Sequence, residues 1–268
     1  MRPRIVLFGD SLTEQSFRPG GWGASLADAY SRKADIVVRG YGGYNSRWAL
    51  FLLDRLFPLV SFSFLVLPPA YGLKFYFFEK CKGCHSFTET GSEDPPVAAT
   101  VFFGANDAAL LGRSNERQHV PILEYKENLR KIVCHLKKLS PTMLVLLITP
   151  PPVDEIGRRA YARSIYGENA SELSERTNEM TGVYAHRCVE LATEMGVSCV
   201  NIWSKMQETA GWQKFLSDGL HFTAEGNAVL YEEVIKVLFA GGLCEPKMPY
   251  DFPHHSEVDP QDPKKSFS

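Results

Sequence analysis

The sequence predicts a three-layer α/β/α sandwich built on a five-stranded parallel sheet. Short, nearly continuous apolar runs rich in β-branched residues alternate with longer stretches of amphipathic character. The first pattern is typical of strands buried on both faces, and the second is typical of helices that cover a sheet. Because strands and helices alternate along the chain, the strands are expected to be parallel, with helices on both faces.

Each element follows from one of these two patterns. Five apolar runs are predicted as strands: Arg4–Phe8, Asp35–Arg39, Ala98–Phe103, Met143–Thr149 and Val197–Ile202. Five stretches are predicted as helices: Gly23–Arg32, Ser46–Phe57, Glu124–Leu139, Ser171–Gly196 and Thr223–Phe239. In the third of these helices the apolar residues recur at helical spacing, with lysines and an arginine between them. Active sites in such sheets gather at the carboxyl ends of the strands, so polar residues directly after a strand are the functional candidates.

One domain is predicted for residues 1–244, because 268 residues with 44% hydrophobic and 22% charged side chains suit one globular core. Residues 59–94 depart from the pattern, since a short connection is expected between a helix and a strand. We predict an atypical insertion there, for which translation of an unspliced intron is one explanation. It is too short and too interrupted for a membrane span. The tail 245–268, rich in Pro, Asp, Lys and Ser, is predicted to be unstructured or loosely draped.

Charge and cysteine usage argue against several partners. The net charge is −2 without a run of five like charges, so nucleic acid or an anionic membrane surface is not expected as a partner. The apolar run Ile5–Phe8 is too short for a signal-peptide core, which predicts a cytoplasmic protein with reduced thiols. Composition does not indicate an oligomeric state.

The cysteines do not predict a metal site. The motif from Cys81 to His85 has the spacing of a c-type haem attachment site, but without export no haem is expected. A single CxxC pair is also insufficient for structural zinc, so we predict no metal. The remaining cysteines are predicted to be core thiols: residues 134, 188, 199 and 244.

Ser11 is the first candidate catalytic residue. It directly follows the first predicted strand, so its hydroxyl is expected at the carboxyl edge of the sheet. Gly9, two positions earlier, permits the tight turn between strand and helix. The alternative is that Asp10 and Ser11 only cap a helix.

Asp218 and His221 are the predicted acid–base partners of that serine. A carboxylate three residues before a histidine can accept a hydrogen bond from Nδ1, which leaves Nε2 free to take a proton from a serine. A second Asp-x-x-His, Asp251 to His254, lies in the proline-rich tail with no element after it. The first pair is preferred because Thr223 can cap a helix directly behind it.

Two further residues are candidates for stabilising an oxyanion. Asn106 follows the third predicted strand, so its amide can point into the same cleft, with an Asx-turn as the alternative. Gly43 lies in the glycine-rich turn after the second strand. Backbone N–H groups of such a turn can face an anion, although most glycine-rich turns have no such role.

Taken in order, these segments resemble the sequence blocks of the SGNH hydrolases, also called GDSL esterases and lipases. The serine, glycine, asparagine and Asp–His positions of that family are matched by Ser11, Gly43, Asn106, Asp218 and His221. Residues 7–13, 20–28 and 43–48 are similar to the isoamyl acetate-hydrolysing esterase branch, particularly its plant members. The similarity covers about residues 1–58 and 96–245.

The resemblance implies a flavodoxin-like SGNH hydrolase fold and a serine esterase that needs no metal or organic cofactor. It also implies short-chain, acetate-type esters as substrates, with an oxyanion hole formed by the N–H groups of Ser11 and Gly43 and by the Asn106 side chain. Three aromatic residues are predicted pocket walls, with core packing as an equal alternative: Trp22, Tyr44 and Trp48. A carbohydrate or lipid deacylase of the same family and a catalytically silent α/β binding module stay open.

Overall fold

The structure is a computed structural model that describes residues 2–64, 77–78, 88–91 and 95–267. The motif from Cys81 to His85 lies outside the described residues, as does most of the predicted insertion. In chain order the described strands are β1 (Arg4–Gly9), β2 (Asp35–Gly40), β3 (Val60–Phe64), β4 (Phe77–Phe78), β5 (Thr88–Gly91), β6 (Ala98–Phe102), β7 (Leu144–Ile148) and β8 (Ser198–Val200). The described α-helices are α1 (Ser11–Glu14), α2 (Trp22–Ala29), α3 (Ser46–Leu50), α4 (Leu53–Leu56), α5 (Ile122–Leu139), α6 (Glu155–Tyr166), α7 (Asn178–Met195), α8 (Ile202–Gln207) and α9 (Ala224–Ala240).

The predicted five-stranded parallel sheet is confirmed, with the strand order β2-β1-β6-β7-β8. Alternate residues of β1 enter two separate apolar clusters. Val6 and Phe8 pack with residues of α5 and α7, whereas Ile5 and Leu7 pack with residues of α2 and α9. Because side chains alternate across a strand, this division shows helices covering both faces of the sheet. It is the three-layer α/β/α architecture that the apolar strands predict.

Strands β3, β4 and β5 form a separate antiparallel sheet with the order β4-β3-β5. These strands lie within the range 59–94, which the sequence marks as an atypical insertion. Whether the insertion interrupts a single domain stays a prediction. No helix in the described ranges is long and apolar enough to cross a membrane. The cytoplasmic location also stays a prediction.

The helix predictions agree with α2, α5 and α9 to within three residues at each end and are wrong for two other stretches. Ser46–Phe57 is two short helices, α3 and α4, rather than one. The predicted helix Ser171–Gly196 begins only at α7, because the Thr177 side chain accepts a hydrogen bond from Met180 N and caps the helix there. Helices α6 and α8 were not predicted. Each of them begins after a capping side chain, Asp154 for α6 and Asn201 for α8.

Two further predictions concern the surface of the domain. Cys134 is exposed on α5 rather than a core thiol, whereas Cys188 and Cys244 are buried as expected. The beginning of the tail, predicted to be unstructured or loosely draped, is attached to the domain, because Asp251 N donates to Arg32 O at 2.9 Å. An Arg32 guanidinium nitrogen also donates to the Phe252 carbonyl at 2.6 Å. These main-chain contacts hold the tail against the end of α2.

Close backbone packing at Gly40 places the helix that carries Ser11. A Cβ atom at residue 40 would lie 2.0 Å from Glu14 N and 2.4 Å from Glu14 Cα, which is far inside van der Waals contact. Only glycine therefore lets α1 lie directly over the end of β2. Nearby Gly42 is different, because a Cβ there would meet only the flexible end of the Glu14 side chain, at 3.1 Å.

We predict that Gly40→Ala destabilises the protein by about 1–3 kcal/mol, since the new methyl group must displace α1. The measurement is the free energy of unfolding in urea, with Gly42→Ala as the matched control. The control should lose less than about 0.5 kcal/mol, as is usual for surface substitutions. Equal losses for the two variants would show that close packing at residue 40 does not hold α1.

Candidate active site

Three residues from distant parts of the chain form a continuous hydrogen-bonded arrangement. Ser11 Oγ lies 2.9 Å from His221 Nε2, although 210 positions separate the two residues. On the other side of the ring, His221 Nδ1 lies 2.8 Å from Asp218 Oδ2. With Asp218 accepting from the Nδ1–H group, the lone pair of Nε2 faces the serine hydroxyl. This geometry equips Ser11 to lose its proton to the ring.

The loop before α9 holds the carboxylate and the ring in place. Asp218 Oδ1 accepts from Leu220 N at 3.0 Å and from His221 N at 2.7 Å, so Oδ2 is left for the imidazole. Thr223 caps α9 directly behind the loop, where its hydroxyl accepts from Gly226 N at 3.2 Å. The predicted capping role of Thr223 is therefore confirmed.

Asp218 is an ionised acceptor in this arrangement. Burial alone would raise the pKa of Asp218, but the hydrogen bond and the charge of His221 outweigh burial, with a further contribution from Arg158. The result is a pKa well below the ordinary value of an aspartate. The second Asp-x-x-His is arranged differently, because Asp251 pairs with Arg2 and Arg32.

The sequence around Ser11 serves two purposes at once. Asp10 caps α1, with its Oδ1 accepting from Leu12 N at 3.0 Å. Ser11 is the first residue of the helix, and its hydroxyl is directed to His221 instead of to the backbone. The helix-capping alternative therefore applies to Asp10 and does not describe the Ser11 side chain.

Asn106 and Gly43 follow strands on either side of Ser11. In the sheet, Gly9 pairs with Gly40 of β2 and with Phe102 of β6, so the ends of three neighbouring strands lie at the same level. Asn106 is 4% exposed, and its Nδ2 donates to Tyr44 O at 2.8 Å. That nitrogen has two hydrogens, and within the described ranges the second has no protein acceptor.

Gly43 occupies the left-handed region, with φ of 77°, and belongs to the turn after β2. Its carbonyl accepts from Gln118 Nε2 at 3.1 Å. The backbone hydrogen bond from Tyr44 N to Tyr41 O closes the same turn at 3.1 Å. The strand-end arrangement therefore brings Gly43 to the edge of the sheet that carries Ser11 and Asn106.

Two arginines and one glutamate, which the sequence analysis missed, lie between these groups. Arg158 donates to Asp218 Oδ2 at 3.0 Å and to Glu175 Oε1 at 2.5 Å. Arg176 donates to the same Glu175 oxygen at 2.8 Å and to Asn106 Oδ1 at 3.0 Å. The chain of contacts from Asp218 to Asn106 is therefore continuous.

Glu175 and Arg176 are buried, whereas Arg158 and Asp218 are half-buried. Burial would raise the pKa of Glu175, but the charges of Arg158 and Arg176 outweigh it and hold the pKa below its ordinary value. Burial lowers the pKa of the Arg176 guanidinium, which the charge of Glu175 opposes. An arginine remains protonated under such conditions, so Arg176 brings a fixed positive charge to Asn106.

The three predicted pocket residues differ in their surroundings. Trp22 is completely buried and its Nε1 donates to Leu12 O at 3.0 Å, so of the two alternatives for this residue the structure shows core packing. Tyr44 and Trp48 are half-buried, with ring centroids 5.8 Å apart. Tyr44 is also the residue whose carbonyl holds the Asn106 amide.

Two buried carboxylates lie beneath the site. Burial raises the pKa of Asp10 to about 7, although the Leu12 N–H group opposes the rise. Burial likewise raises the pKa of Asp107 to about 7, against the hydrogen bonds from Ser46, and the Asp10 charge adds to the rise. Ser46 contacts Asp107 through both its backbone N–H and its hydroxyl. The pKa of each group is therefore raised from the ordinary range of an aspartate toward neutral pH.

Comparison with known proteins identifies the family. The family model of the GDSL-like lipases and acylhydrolases matches residues 5–234. The chain belongs to this family. An Arabidopsis thaliana GDSL esterase/lipase is 60% identical over 268 residues, which are 100% of this chain and 98% of the relative. The GDSL chain described here is accordingly a carboxylic ester hydrolase.

More distant relatives extend the comparison. The Homo sapiens isoamyl acetate-hydrolyzing esterase 1 homolog is 38% identical over 233 residues, 87% of this chain and 79% of the relative. A lipase/acylhydrolase crystal structure from Enterococcus faecalis has a TM-score of 0.59 at 20% identity, covering 94% of this chain and all of that one. The latter shows the shared SGNH hydrolase fold, as the resemblance of the sequence blocks implies.

We predict that the stability of the protein falls as the pH rises from about 4 to about 7. In that window the unfolded chain releases the protons of Asp10 and Asp107 while the folded protein retains them. The loss for each group is at most about 4 kcal/mol. Urea unfolding at pH 5 and pH 8 measures it.

Asp107→Asn should flatten this dependence, because the amide has no proton to release. The exposed helix residue Asp28 offers a control, and Asp28→Asn should leave the slope of the wild type unchanged. A slope in Asp107→Asn that equals the wild-type slope would contradict the assignment of the effect to Asp107.

Proposed function

We propose that the protein is a serine esterase that hydrolyses short-chain, acetate-type esters through an acyl-enzyme on Ser11. The observation that carries this proposal is the hydrogen-bonded sequence of Ser11 Oγ, His221 and Asp218, with distances of 2.9 and 2.8 Å. Such an arrangement is the one that a serine needs in order to become a nucleophile.

In the first step, His221 Nε2 takes the Ser11 proton as Oγ attacks the ester carbonyl carbon. Asp218 orients the ring and stabilises the imidazolium that forms. The negative charge on the carbonyl oxygen is accepted by the Ser11 and Gly43 N–H groups and by the remaining N–H of Asn106. The imidazolium then gives its proton to the alcohol as the C–O bond breaks. Water repeats the sequence on the acyl-enzyme and releases the acid.

The preference for small acyl groups rests on relatives and on the surroundings of Asn106. Relatives named for isoamyl acetate hydrolysis are 35–38% identical to this chain. Tyr44, whose main-chain carbonyl holds the Asn106 amide, has a half-buried ring that packs against the ring of Trp48. An aromatic pair on the segment that holds this amide favours a compact apolar group as the acyl moiety.

We predict that Ser11→Ala lowers kcat/KM for an aryl acetate by at least about 10³-fold, because no nucleophile remains. Ser164→Ala is the control, since Ser164 is exposed on α6 and its hydroxyl donates to the nearby Tyr161 carbonyl. It should retain full activity. Equal rates for wild type and Ser11→Ala would reject the serine mechanism and favour a silent binding module.

We predict that kcat/KM decreases with falling pH along a single acid limb. Protonated His221 cannot accept the Ser11 proton, while Asp218, whose pKa is well below its ordinary value, stays ionised across the same range. A pH–rate profile from pH 4.5 to 9 tests this expectation. A rate that is constant down to pH 4.5, where the protein is verified to be folded, would contradict the role of His221.

We predict that kcat/KM is greatest for acetate in a series of aryl esters of increasing acyl length. The same panel includes acetylated xylo-oligosaccharides, with aryl acetate as the reference. A rate that rises toward octanoate would favour a lipid deacylase, and a preference for the sugar acetates would favour a carbohydrate deacylase.

A further inference from the structure

The Arg176 side chain is 2% exposed, and all three of its guanidinium nitrogens are engaged. Nε donates to Ala105 O at 2.6 Å, and Nη1 donates to Glu175 Oε1 at 2.8 Å. Nη2 donates to Asn106 Oδ1 at 3.0 Å and to Gln118 Oε1 at 2.7 Å. Arg176 therefore holds the segment after β6 at two points, the main-chain carbonyl of Ala105 and the side chain of Asn106.

The contact with Asn106 decides which end of the amide faces which partner. The oxygen and nitrogen of an asparagine amide are similar in size, so packing alone does not fix its orientation. The Arg176 guanidinium can only donate hydrogen bonds, so it must face the amide oxygen of Asn106. The Tyr44 carbonyl can only accept, so it must face the amide nitrogen. The second N–H of Nδ2 consequently has one fixed direction. A charged donor on Oδ1 also polarises the amide and strengthens that N–H as a donor.

The contact with Gln118 extends the same effect to Gly43. Because the Gln118 oxygen is held by Arg176, its Nε2 is directed to the Gly43 carbonyl, at 3.1 Å. The Gln118 carbonyl is itself held by Asn45 Nδ2 at 2.9 Å. One guanidinium thus orients the Asn106 amide directly and the turn of Gly43 through a single intermediary.

We propose that Arg176 is a positioning residue that sets both oxyanion-hole donors, the Asn106 side chain and the Gly43 turn. This inference rests on the function proposed above. Burying a guanidinium is costly, and replacing a buried ion pair with apolar residues is often neutral or stabilising. An arginine at this place is therefore explained better by the orientation it imposes than by stability.

The shared carboxylate relates this role to the other half of the site. Glu175 Oε1 accepts from both Arg158 and Arg176, and Arg158 also donates to Asp218. Together Glu175 and Asp218 supply two negative charges for the two arginines, so neither positive charge is left unpaired beside the reacting groups. Arg176 acts through Asn106 and Gln118, whereas Arg158 acts through Asp218.

The test measures kcat and KM for an aryl acetate in Arg176→Lys and Gln118→Met, each in the wild-type and Asn106→Ala backgrounds. A lysine keeps the charge but cannot contact all four acceptors, so kcat should fall by about 10- to 100-fold with KM changed by less than about threefold. Gln118 is only half-buried, so its replacement removes the hydrogen bond to the Gly43 carbonyl without disturbing the packing of the core. We expect kcat to fall by about 3- to 10-fold in Gln118→Met.

The double variants separate positioning from general damage. If Arg176 acts through Asn106, the loss caused by Arg176→Lys should be at least about fivefold smaller in the Asn106→Ala background. Arg163→Lys, at an exposed arginine of α6, is the matched control and should keep the wild-type kcat. An equal loss in both backgrounds, or a loss confined to KM, would overturn the proposal while leaving the serine mechanism intact.

If Arg176→Lys is poorly folded, Gln118→Met carries the test, and an unchanged kcat in that variant would overturn the proposal. For a folded Arg176→Lys protein, a measurement without turnover tests the contact with Asn106. The side-chain amide resonances of Asn106, identified by their absence in Asn106→Ala, should shift in Gln118→Met less than in Arg176→Lys. Unchanged resonances in a folded Arg176→Lys protein would overturn the proposal. If Ser11→Ala is as active as the wild type, the proposed function fails and the positioning role fails with it.

Discussion

The site depends on the parallel pairing of β1 between β2 and β6. This pairing brings the ends of three strands to one level, at Gly9, Gly40 and Phe102. Loops that leave a common edge carry their side chains into a common space, which is why ligands bind at this edge in open α/β sheets. The Asp–His loop needs only to reach the same edge from α9. If the register of β1 shifted by one residue, each of its side chains would point to the opposite face of the sheet and leave the apolar cluster to which it belongs.

Charge is the second constraint on the site. A half-buried aspartate, a buried glutamate and two arginines lie in one continuous chain beside a neutral hydroxyl and an imidazole. In a medium of low polarity an unpaired charge is costly, so each of these groups is positioned by the requirement for a partner. The same surroundings leave Asp10 with an Oδ2 that has no hydrogen-bond partner in the described part of the chain. Its raised pKa is the response expected of a carboxyl group in that position.

The fold and the central residues of the site could be predicted from sequence because their signals are local. The strands are apolar throughout, and Asp218 and His221 are three residues apart on one loop. Ser11 directly follows a strand, which fixes its place at the sheet edge. Trp22 shows the limit of this approach, since an aromatic side chain near a motif is equally compatible with a pocket and with the core.

Arg158, Glu175 and Arg176 could not be found in this way, because their partners are distant in sequence. Arg176 contacts Asn106, 70 positions earlier, and Arg158 contacts Asp218, 60 positions later. Glu175 and Arg176 were also assigned to a helix, whereas the helix begins after them, at the Thr177 cap. That capping threonine, preceded by two charged residues, was the available signal for an ordered loop.

The distance in sequence between Ser11 and His221, the proposed nucleophile and its proposed base, has a consequence for biosynthesis. Ser11 emerges from the ribosome 210 residues before His221, and the strands that flank it become complete only when β6 has been made. Contacts of such long range are formed late, after the chain entropy of a large loop has been lost. A nascent or truncated chain that ends before residue 218 therefore carries an unactivated hydroxyl. Under the proposed mechanism, ester hydrolysis becomes possible only after residue 221 has been made, so shorter chains lack the base that Ser11 needs.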